Sequence, residues 1–380
     1  MRTRLALAAA VLACAAGCGE APRRAAPVGT WRDVEPMPPP VRSAFVAAVL
    51  PSGRVLVVGG EPFAMPVRHT ARHRPSSPPP VFDPASGQWS QLSRFAGIVG
   101  AYDAVSLPDG RVLVQAQWDR LWTFEEAAAR WSLQQSPPFS ARLLAVPVSG
   151  KVLGFAVVGD SPTPVVSFDP SIGSWTAAAS PGWSLAGAVF AVLPSGRVLA
   201  LGGTASLGPS RLAAEYDSAA DAWQYVAPAM LEKFEPGAVA LEDGRVAVLG
   251  TPRVAGDRTV LMELYDPVTR TWTQAPELPL PVAARAEGGV LGFPFGSRLM
   301  VARAGRYVLV ARAAAEIDEP PFAALFDPRT AQWFQVEPPR QRDVGKLLTL
   351  PSGEVLLLGG RCFECPGGVG GAQIFRVEEQ

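Results

Sequence analysis

Histidine, cysteine and tyrosine are scarce in this sequence, whose 380 residues include 2 His, 4 Cys and 5 Tyr. These residue types build many catalytic and metal sites, and no Ser-His-Asp arrangement, phosphate-binding loop or separate metal motif is recognisable. Net charge is also absent, since 34 basic side chains balance 34 acidic ones. A neutral chain has no general attraction to nucleic acid. Nucleic acid is therefore not an expected partner, and an enzyme is not the expected class.

Long uninterrupted segments are missing as well. The 37 Gly and 39 Pro interrupt the chain too often for long helices, although 48% of the residues are hydrophobic and can fill a large core. This combination predicts many short strands joined by many turns.

The start of the chain has the features of a bacterial export signal. Arg2 and Arg4 precede an apolar run over residues 5–13 that is too short to span a bilayer. The small residues before Cys18 resemble a lipobox, and this resemblance implies that Cys18 is lipidated and becomes the mature N-terminus. Cys14 is a competing site, and simple secretory cleavage nearby is the alternative.

These features predict the organisation and location of the chain. Residues 1–18 are the signal, 19–27 a tether and 28–380 the folded domain. We expect export to the periplasm or cell envelope, with a membrane anchor only through the lipid on Cys18.

Two phrases recur along the sequence. LPSGRVLVVGG at 50–60 returns as LPSGRVLALGG at 193–203 and as LPSGEVLLLGG at 350–360. A second motif, VFDPASGQW at 81–89, also recurs, and each copy ends in a tryptophan. Successive tryptophans are 42, 44, 48, 49 and 61 residues apart. These are Trp89, Trp131, Trp175, Trp223, Trp272 and Trp333. Self-similarity at about 40–50 residues is typical of propeller blades.

One repeat predicts four antiparallel strands. Residues 43–50 and 55–58 form a hairpin, residues 80–82 a third strand, and Trp89 begins a fourth after a turn over 83–87. Sheets of this kind, packed face to face around an axis, form a β-propeller.

The hairpin turns predict seven blades. They contain Gly53, Gly110, Gly150, Gly196, Gly244, Gly305 and Gly353. The last unit ends before any Trp, whereas residues 30–34 hold an unpartnered Trp31 before the first hairpin. We expect this N-terminal strand to complete the last blade, because it would leave no open sheet edge at the seam. The predicted fold class is all-β, a seven-bladed propeller of four-stranded antiparallel blades.

The repeats resemble those of the kelch family, and within it the galactose-oxidase-like propellers, over about residues 28–380. The shared features are a Gly pair after the second strand, an aromatic residue in the third and a Trp in the fourth. The Gly pair stands at 59–60, 202–203 and 359–360 and is reduced or absent in the other blades. We interpret these repeated residues as scaffold. Four aspartates are interpreted as turn formers, namely Asp83, Asp169, Asp266 and Asp327.

Function is expected where the repeats differ. In a four-stranded antiparallel blade, the loop between strands two and three lies on the same face as the connection to the next blade. The first such loop holds both histidines, among three arginines that could bind phosphate, sulfate or carboxylate. These residues are His69, His73, Arg68, Arg72 and Arg74. A solvated basic loop is the alternative.

Cys362 and Cys365 lie in the corresponding loop of blade seven. Outside the cytoplasm we expect them to form a disulfide. Blades one and seven are neighbours in a closed ring, so this pair is predicted to lie beside His69 and His73, and two Cys with two His suit zinc. No cofactor is the preferred expectation, and zinc is the alternative unless the cysteines are oxidised.

The resemblance to galactose oxidase also implies a second possibility, a copper enzyme. The copper site of that family needs two tyrosines, two histidines and a cysteine cross-linked to one tyrosine. Tyr216 and Tyr265 instead belong to the repeated third-strand phrase, and neither histidine lies on the late segments from which that family takes its ligands. The sequence therefore favours a non-catalytic propeller.

Two binding functions remain open, with an unknown protein or glycan as the partner. The preferred hypothesis is a protein-interaction scaffold, which would use apolar loop tips such as Phe293 and Phe295. A carbohydrate-binding module would stack sugar rings on an exposed aromatic such as Trp183, which lies between blades three and four. Core packing is the alternative for Trp183, and a metal-dependent enzyme is the third functional possibility.

Overall fold

The computed structural model describes fifteen stretches of the chain. They are residues 27–38, 42–62, 78–93, 97–98, 100–116, 119–146, 148–156, 162–205, 208–230, 234–251, 260–279, 300–312, 321–340, 345–359 and 371–378. Every regular element named below lies within them.

Short β-strands follow one another along the described chain. Those of the first half are β1 Val28–Asp33, β2 Arg42–Val49, β3 Val55–Pro62, β4 Pro80–Asp83, β5 Gln88–Gln91, β6 Asp103–Ser106, β7 Val112–Ala116, β8 Arg120–Glu125, β9 Arg130–Gln134, β10 Ala141–Val146, β11 Lys151–Ala156, β12 Val165–Asp169 and β13 Ser174–Ala178. Those of the second half are β14 Val189–Val192, β15 Val198–Leu201, β16 Thr204–Ala205, β17 Gly208–Pro209, β18 Ala213–Asp217, β19 Ala222–Tyr225, β20 Phe234–Ala240, β21 Val246–Thr251, β22 Leu261–Asp266, β23 Thr271–Gln274, β24 Met300–Ala304, β25 Tyr307–Arg312, β26 Phe322–Asp327, β27 Gln332–Gln335, β28 Gly345–Thr349, β29 Val355–Gly359 and β30 Ala372–Glu378.

The strands form seven four-stranded antiparallel sheets arranged as a β-propeller, as the repeats predict. Blades one to six each take four strands in chain order, beginning with β2, β6, β10, β14, β20 and β24. Blade four carries an additional two-stranded hairpin, β16 and β17, between its second and third strands. The described residues include no helix long and apolar enough to cross a membrane.

Blade seven is completed by the N-terminal strand, which confirms the predicted closure. Its sheet has the order β28, β29, β30, β1, and β1 pairs antiparallel with β30 from Val28 opposite Glu378 to Asp33 opposite Gln373. Without this pairing, β1 and β30 would each have an open edge, and their hydrogen bonds remove both edges.

The two faces of the propeller differ in the connections they carry. Antiparallel order places the turns after strands one and three on one face, here called the lower face. The loops after strand two and the connections between blades lie on the other, the upper face. All seven predicted hairpin glycines have positive φ, between 56° and 88°, a conformation that costs other residues about 1–2 kcal/mol. The first strands of neighbouring blades lie side by side around the axis and line a central channel.

The blade tryptophans fasten each blade to the one before it. Each indole ring packs on the third-strand aromatic of its own blade, with centroids 4.8–5.0 Å apart. In six blades the indole Nε1 donates a hydrogen bond of 2.7–2.9 Å to a backbone carbonyl of the preceding blade. The acceptor lies four residues after the preceding tryptophan, as where Trp175 donates to Gln135. This repeated contact fixes the spacing of neighbouring sheets.

The seam between blades one and two departs from this pattern. The buried Nε1 of Trp131 has no hydrogen-bond acceptor in the described part of the chain, although its ring packs on Phe124. By the spacing at the other seams, the acceptor would be the carbonyl of Ser93. Blade two also carries the most divergent repeat, TFEEAAARW at 123–131, so sequence divergence and loss of the contact coincide.

The core lies between blades rather than in one central cluster. Apolar side chains of adjacent sheets interdigitate, as where Val46 and Val58 of blade one pack with Val112 and Val114 of blade two. The aspartates after the third strands form the predicted turns. Asp83 and Asp169, for example, each accept a hydrogen bond of 2.9 Å from the backbone nitrogen two residues on. The repeated residues therefore act as scaffold.

Candidate functional site

Most residues predicted from the loops lie outside the described residues. These are Cys18, Arg68, His69, Arg72, His73, Arg74, Phe293, Phe295, Cys362 and Cys365. Four features therefore stay predictions: the anion-binding loop of blade one, the disulfide or zinc site, the apolar loop tip and the lipidation site.

Trp183 is the one residue of that candidate set whose surroundings the structure describes. Its side chain is 6% exposed, and its Nε1 donates a hydrogen bond of 2.8 Å to the carbonyl of Gly202. The ring lies 5.4 Å from that of Tyr225 and 6.4 Å from that of Trp223. This placement matches the core alternative that the sequence left open, and a buried ring offers no face to a sugar.

Three charged residues whose side chains the structure describes lie at the upper ends of first strands. Asp103 begins β6, whereas Arg142 and Lys346 are the second residues of β10 and β28. Because first strands run from the upper to the lower face around the axis, these residues surround the upper mouth of the channel. We call Asp103, Arg142 and Lys346 the mouth cluster.

Asp103 joins blades two and three. Its carboxylate accepts hydrogen bonds from the backbone nitrogen of Leu143, at 2.7 Å, and from that of Ala104, at 2.9 Å. Burial raises the pKa of Asp103, and these amides and the charges of Arg142 and Lys346 offset the rise in part. The site therefore holds a carboxylate whose charged form is poorly solvated.

Lys346 is the least satisfied member of the cluster. Its ammonium lies 5.9 Å from the centroid of the Phe45 ring and makes no hydrogen bond or ion pair with the residues that the structure describes. The residue is exposed, and partial desolvation by the protein near its ammonium lowers its pKa, although the charge of Asp103 opposes the change. A partly desolvated cation of this kind favours an anionic ligand.

Arg142 forms the third side of the mouth. Its Nη1 donates a hydrogen bond of 3.1 Å to the carbonyl of Ala188 in the connection to blade four. The guanidinium also lies 5.8 Å from the centroid of the Phe190 ring, which stacks on Phe155 at 4.2 Å. These contacts fix the direction of the cation.

An exposed tyrosine stands beside the mouth cluster. Tyr102 precedes Asp103 and is 45% exposed, and its hydroxyl donates a hydrogen bond of 2.6 Å to Asp119. Ser140 donates to the same carboxylate oxygen at 2.8 Å. Partial burial and the bond to Asp119 raise the pKa of Tyr102, so its hydroxyl stays protonated at neutral pH.

Gln115 lies behind this group, opposite Asp103 in the sheet of blade two. The residue is fully buried. Its amide approaches the Tyr102 hydroxyl, yet neither its nitrogen nor its oxygen makes a hydrogen bond of good geometry within the described chain. An unsatisfied buried amide costs about 1–3 kcal/mol.

The lower face offers a contrasting cleft. It has a volume of about 420 Å³ between blades six and seven and is lined by Arg306, Tyr307 and Glu354, among other residues. Of its charged lining residues, only Arg376 has no partner among the described residues. Arg306 stacks on the Tyr307 ring at 4.6 Å and pairs with Asp327 at 3.5 Å, and Glu354 accepts a hydrogen bond from Ser352. The mouth cluster is therefore the better candidate site.

The described residues do not fit a copper centre of the galactose-oxidase type. They contain no group of three or more His, Cys, Asp and Glu side chains able to hold a metal ion. Tyr216 and Tyr265 pack on their blade tryptophans and donate hydrogen bonds to Asp221 and Glu215. Both are structural residues, as the sequence indicates.

Sequence reasoning missed the mouth cluster. Its members are ordinary charged residues in three different repeats and form no local motif. One signal was available, since each stands at the start of a first strand, where an otherwise apolar hairpin begins with a charge. Only the closed ring shows that these positions meet.

Comparison with known proteins shows the fold alone. No family model matches the chain, and no curated protein matches it. The chain is similar to the solved structure of a fungal alcohol oxidase of the AA5 family in complex with copper, with a TM-score of 0.63 and 15% sequence identity. The likeness covers 92% of this chain and 76% of the oxidase. It supports the galactose-oxidase-like propeller architecture, while membership of the kelch family stays a prediction.

Proposed function

We propose that this protein is a non-catalytic binding scaffold that holds a protein partner on the upper face of the propeller, at the channel mouth. The observation that carries the proposal is Lys346, a cation without a hydrogen-bond partner among the described residues. Its N–H donors meet no acceptor among the described residues, so they are available to bind an anionic group of a partner at the channel mouth.

The path of the N-terminal segment supports the same face. Val28 lies at the lower end of β1, opposite Glu378, so the chain enters β1 at the lower face. If Cys18 carries a lipid, the tether leaves the lower face toward the membrane and the upper face stays accessible. Lipidation and location in the periplasm or cell envelope are parts of this proposal.

A carbohydrate ligand is the second candidate. Tyr102, an exposed ring beside three charged groups, supports it, because sugar sites combine an aromatic face with a few directed polar side chains. Trp183 no longer contributes to this candidate, since its ring is buried.

A metal-dependent enzyme is the third candidate. The copper in the fungal oxidase is the reason to keep it, and His69, His73, Cys362 and Cys365 are the residues that would bind zinc. Metal analysis with titration of free thiols tests it. One bound zinc with two free thiols would favour the enzyme, and absence of both would favour the scaffold.

Site-specific photocrosslinking in cells tests the scaffold. A photoreactive phenylalanine derivative is placed at position 102 on the upper face or, as a control, at position 172 in a lower-face turn, where Ile172 is 73% exposed. We expect a discrete protein adduct from position 102 and none from position 172. Adducts from position 172 alone would overturn the proposal, and glycan adducts from position 102 would favour the carbohydrate candidate.

A further inference from the structure

The mouth cluster has an unbalanced charge. Arg142 and Lys346 contribute two positive charges and Asp103 one negative charge, so the cluster carries one net positive charge when all three are ionised. No acidic side chain of the described residues pairs with either cation, and the carboxylate of Asp119 is engaged with Tyr102 and Ser140. The mouth cluster therefore has an excess of positive charge that an anion can neutralise.

Asp103 cannot fully supply that anion. It uses its oxygens to bind the backbone nitrogens of Leu143 and Ala104, which holds it on the blade two–three seam. Lys346 approaches closely enough to feel its charge but forms no ion pair with it. The ammonium keeps its hydrogen-bond donors for another group.

The same carboxylate limits which anion can bind. A phosphate dianion or a cluster of carboxylates would be repelled by Asp103, because charges interact strongly where water is partly excluded. A single carboxylate matches the net charge of the mouth. Arg142 has room to take part, since its Nε and Nη2 make no hydrogen bond with the described residues.

A peptide suits the site better than a sugar. Phe45, the ring closest to Lys346, is only 6% exposed. Phe190, the ring closest to Arg142, is partly buried, stacks on Phe155 and has the Arg142 guanidinium over it. Neither ring offers an open face on which a pyranose could stack. The channel mouth lies on the axis, between the first strands, where an extended acidic side chain would approach the two cations.

We propose that the mouth cluster binds one carboxylate from an aspartate or glutamate of the protein partner, with Lys346 as the main ligand-binding residue and Arg142 as the second. This proposal rests on the protein-binding function proposed above. Asp103 acts as the selectivity residue, because its charge rejects dianions.

The lysine content of the chain allows a direct test. Lys151, Lys233 and Lys346 are its three lysines, so protein labelled with ¹³C-lysine gives three side-chain NMR signals, and Lys346→Arg identifies one of them. The probe is a capped Gly-Gly-Glu-Gly-Gly peptide, with Gln in place of Glu as its matched control. We expect the Glu peptide to shift the Lys346 signal with saturation, the Gln peptide to shift it little, and Lys151 to be unaffected.

Two variants separate binding from structure. Lys346→Met should weaken binding of the Glu peptide at least about tenfold, which corresponds to about 1.4 kcal/mol, as measured by calorimetry. Asp103→Asn should tighten it and admit inorganic phosphate, an effect that a purely structural aspartate would not produce. Thermal melts establish that both variants are folded.

Other outcomes overturn the proposal. Equal shifts with the Glu and Gln peptides would exclude carboxylate recognition, and tighter binding of galacturonate than of the Glu peptide would assign the site to a sugar. If position 102 crosslinks to a protein while the peptide leaves Lys346 unchanged, only the carboxylate site fails and the scaffold stands.

Discussion

At the scale of single residues, the chemistry of this protein depends on where a side chain stands more than on its type. Lys346 has the same side chain as Lys151, yet only Lys346 lies at the channel mouth, where desolvation lowers its pKa. Gln115 is an ordinary amide that becomes costly because it is buried without a hydrogen bond of good geometry to any described residue. Tyr102 is held in place through Asp119.

The first prediction concerns the cost of the Lys346 charge. A lysine whose pKa is lower in the folded than in the unfolded protein destabilises the fold at neutral pH, and this cost disappears only as pH rises above the unfolded pKa, near 10.4. Lys346→Met should therefore raise the melting temperature at pH 7 and lose that advantage at alkaline pH. Lys151→Met is the matched control and should change little. A lower melting temperature for Lys346→Met at pH 7 would show that the ammonium is a structural group.

At the scale of elements, each blade is fastened to its neighbour by one tryptophan. The indole combines a ring contact within its own blade with a hydrogen bond to the preceding blade, and Trp131 keeps the first while lacking the second. Only glycine fits at position 203, because a Cβ there would lie 2.0 Å from the carbonyl oxygen of Ser184. Scaffold positions are thus specified by contacts between elements.

The second prediction compares two tryptophans. Trp175→Phe removes a hydrogen bond to Gln135 of 2.9 Å as well as part of the ring, whereas Trp131→Phe removes only part of the ring and relieves an unsatisfied donor. We expect Trp175→Phe to destabilise the protein by about 1 kcal/mol more, the usual net value of such a bond. Urea denaturation of both variants measures the difference. Equal losses would mean that the indole hydrogen bonds contribute nothing to blade packing.

At the scale of the whole molecule, the ring depends on a strand from the opposite end of the chain. Trp31 of β1 packs on Phe375 with centroids 4.9 Å apart and donates a hydrogen bond to Glu337 of blade six. One short strand thus joins the first and last repeats and closes the ring of blades around the channel. The mouth cluster depends on this closure, because Lys346 belongs to blade seven and Asp103 to blade two.

The third prediction concerns that closure. Removing residues 1–34 deletes β1, which exposes the edge of β30 and removes the packing of Trp31. We expect a large loss of stability and a tendency to associate through the open edge, measured by thermal melting and light scattering. Removing residues 1–26 leaves β1 intact and is the control. Equal stability of the two shortened proteins would show that the ring does not need β1.

Much of the architecture could be predicted because it is encoded locally and repeatedly. Each of the repeated features, the Gly turns, the third-strand aromatics and the Asp turns, depends on a few neighbouring residues. Where one repeat is hard to assign to strands, comparison with the other six assigns it. The boundaries differed slightly, since β1 covers Val28–Asp33 rather than residues 30–34. The regular Trp hydrogen bond was not predicted, because its acceptor is a backbone carbonyl and carries no sequence signal.

The sequence by itself determined the number of blades, their strand order and the strand that closes the ring, because hydrophobic periodicity and turn chemistry act over short distances. Only the tertiary structure decided which charges meet. Asp103 and Lys346 are 243 positions apart in the sequence and come together because the ring closes. It also decided that Trp183 is buried, since burial depends on what packs around a residue. A side chain's solvation, and hence its chemistry, is a property of the assembled surroundings.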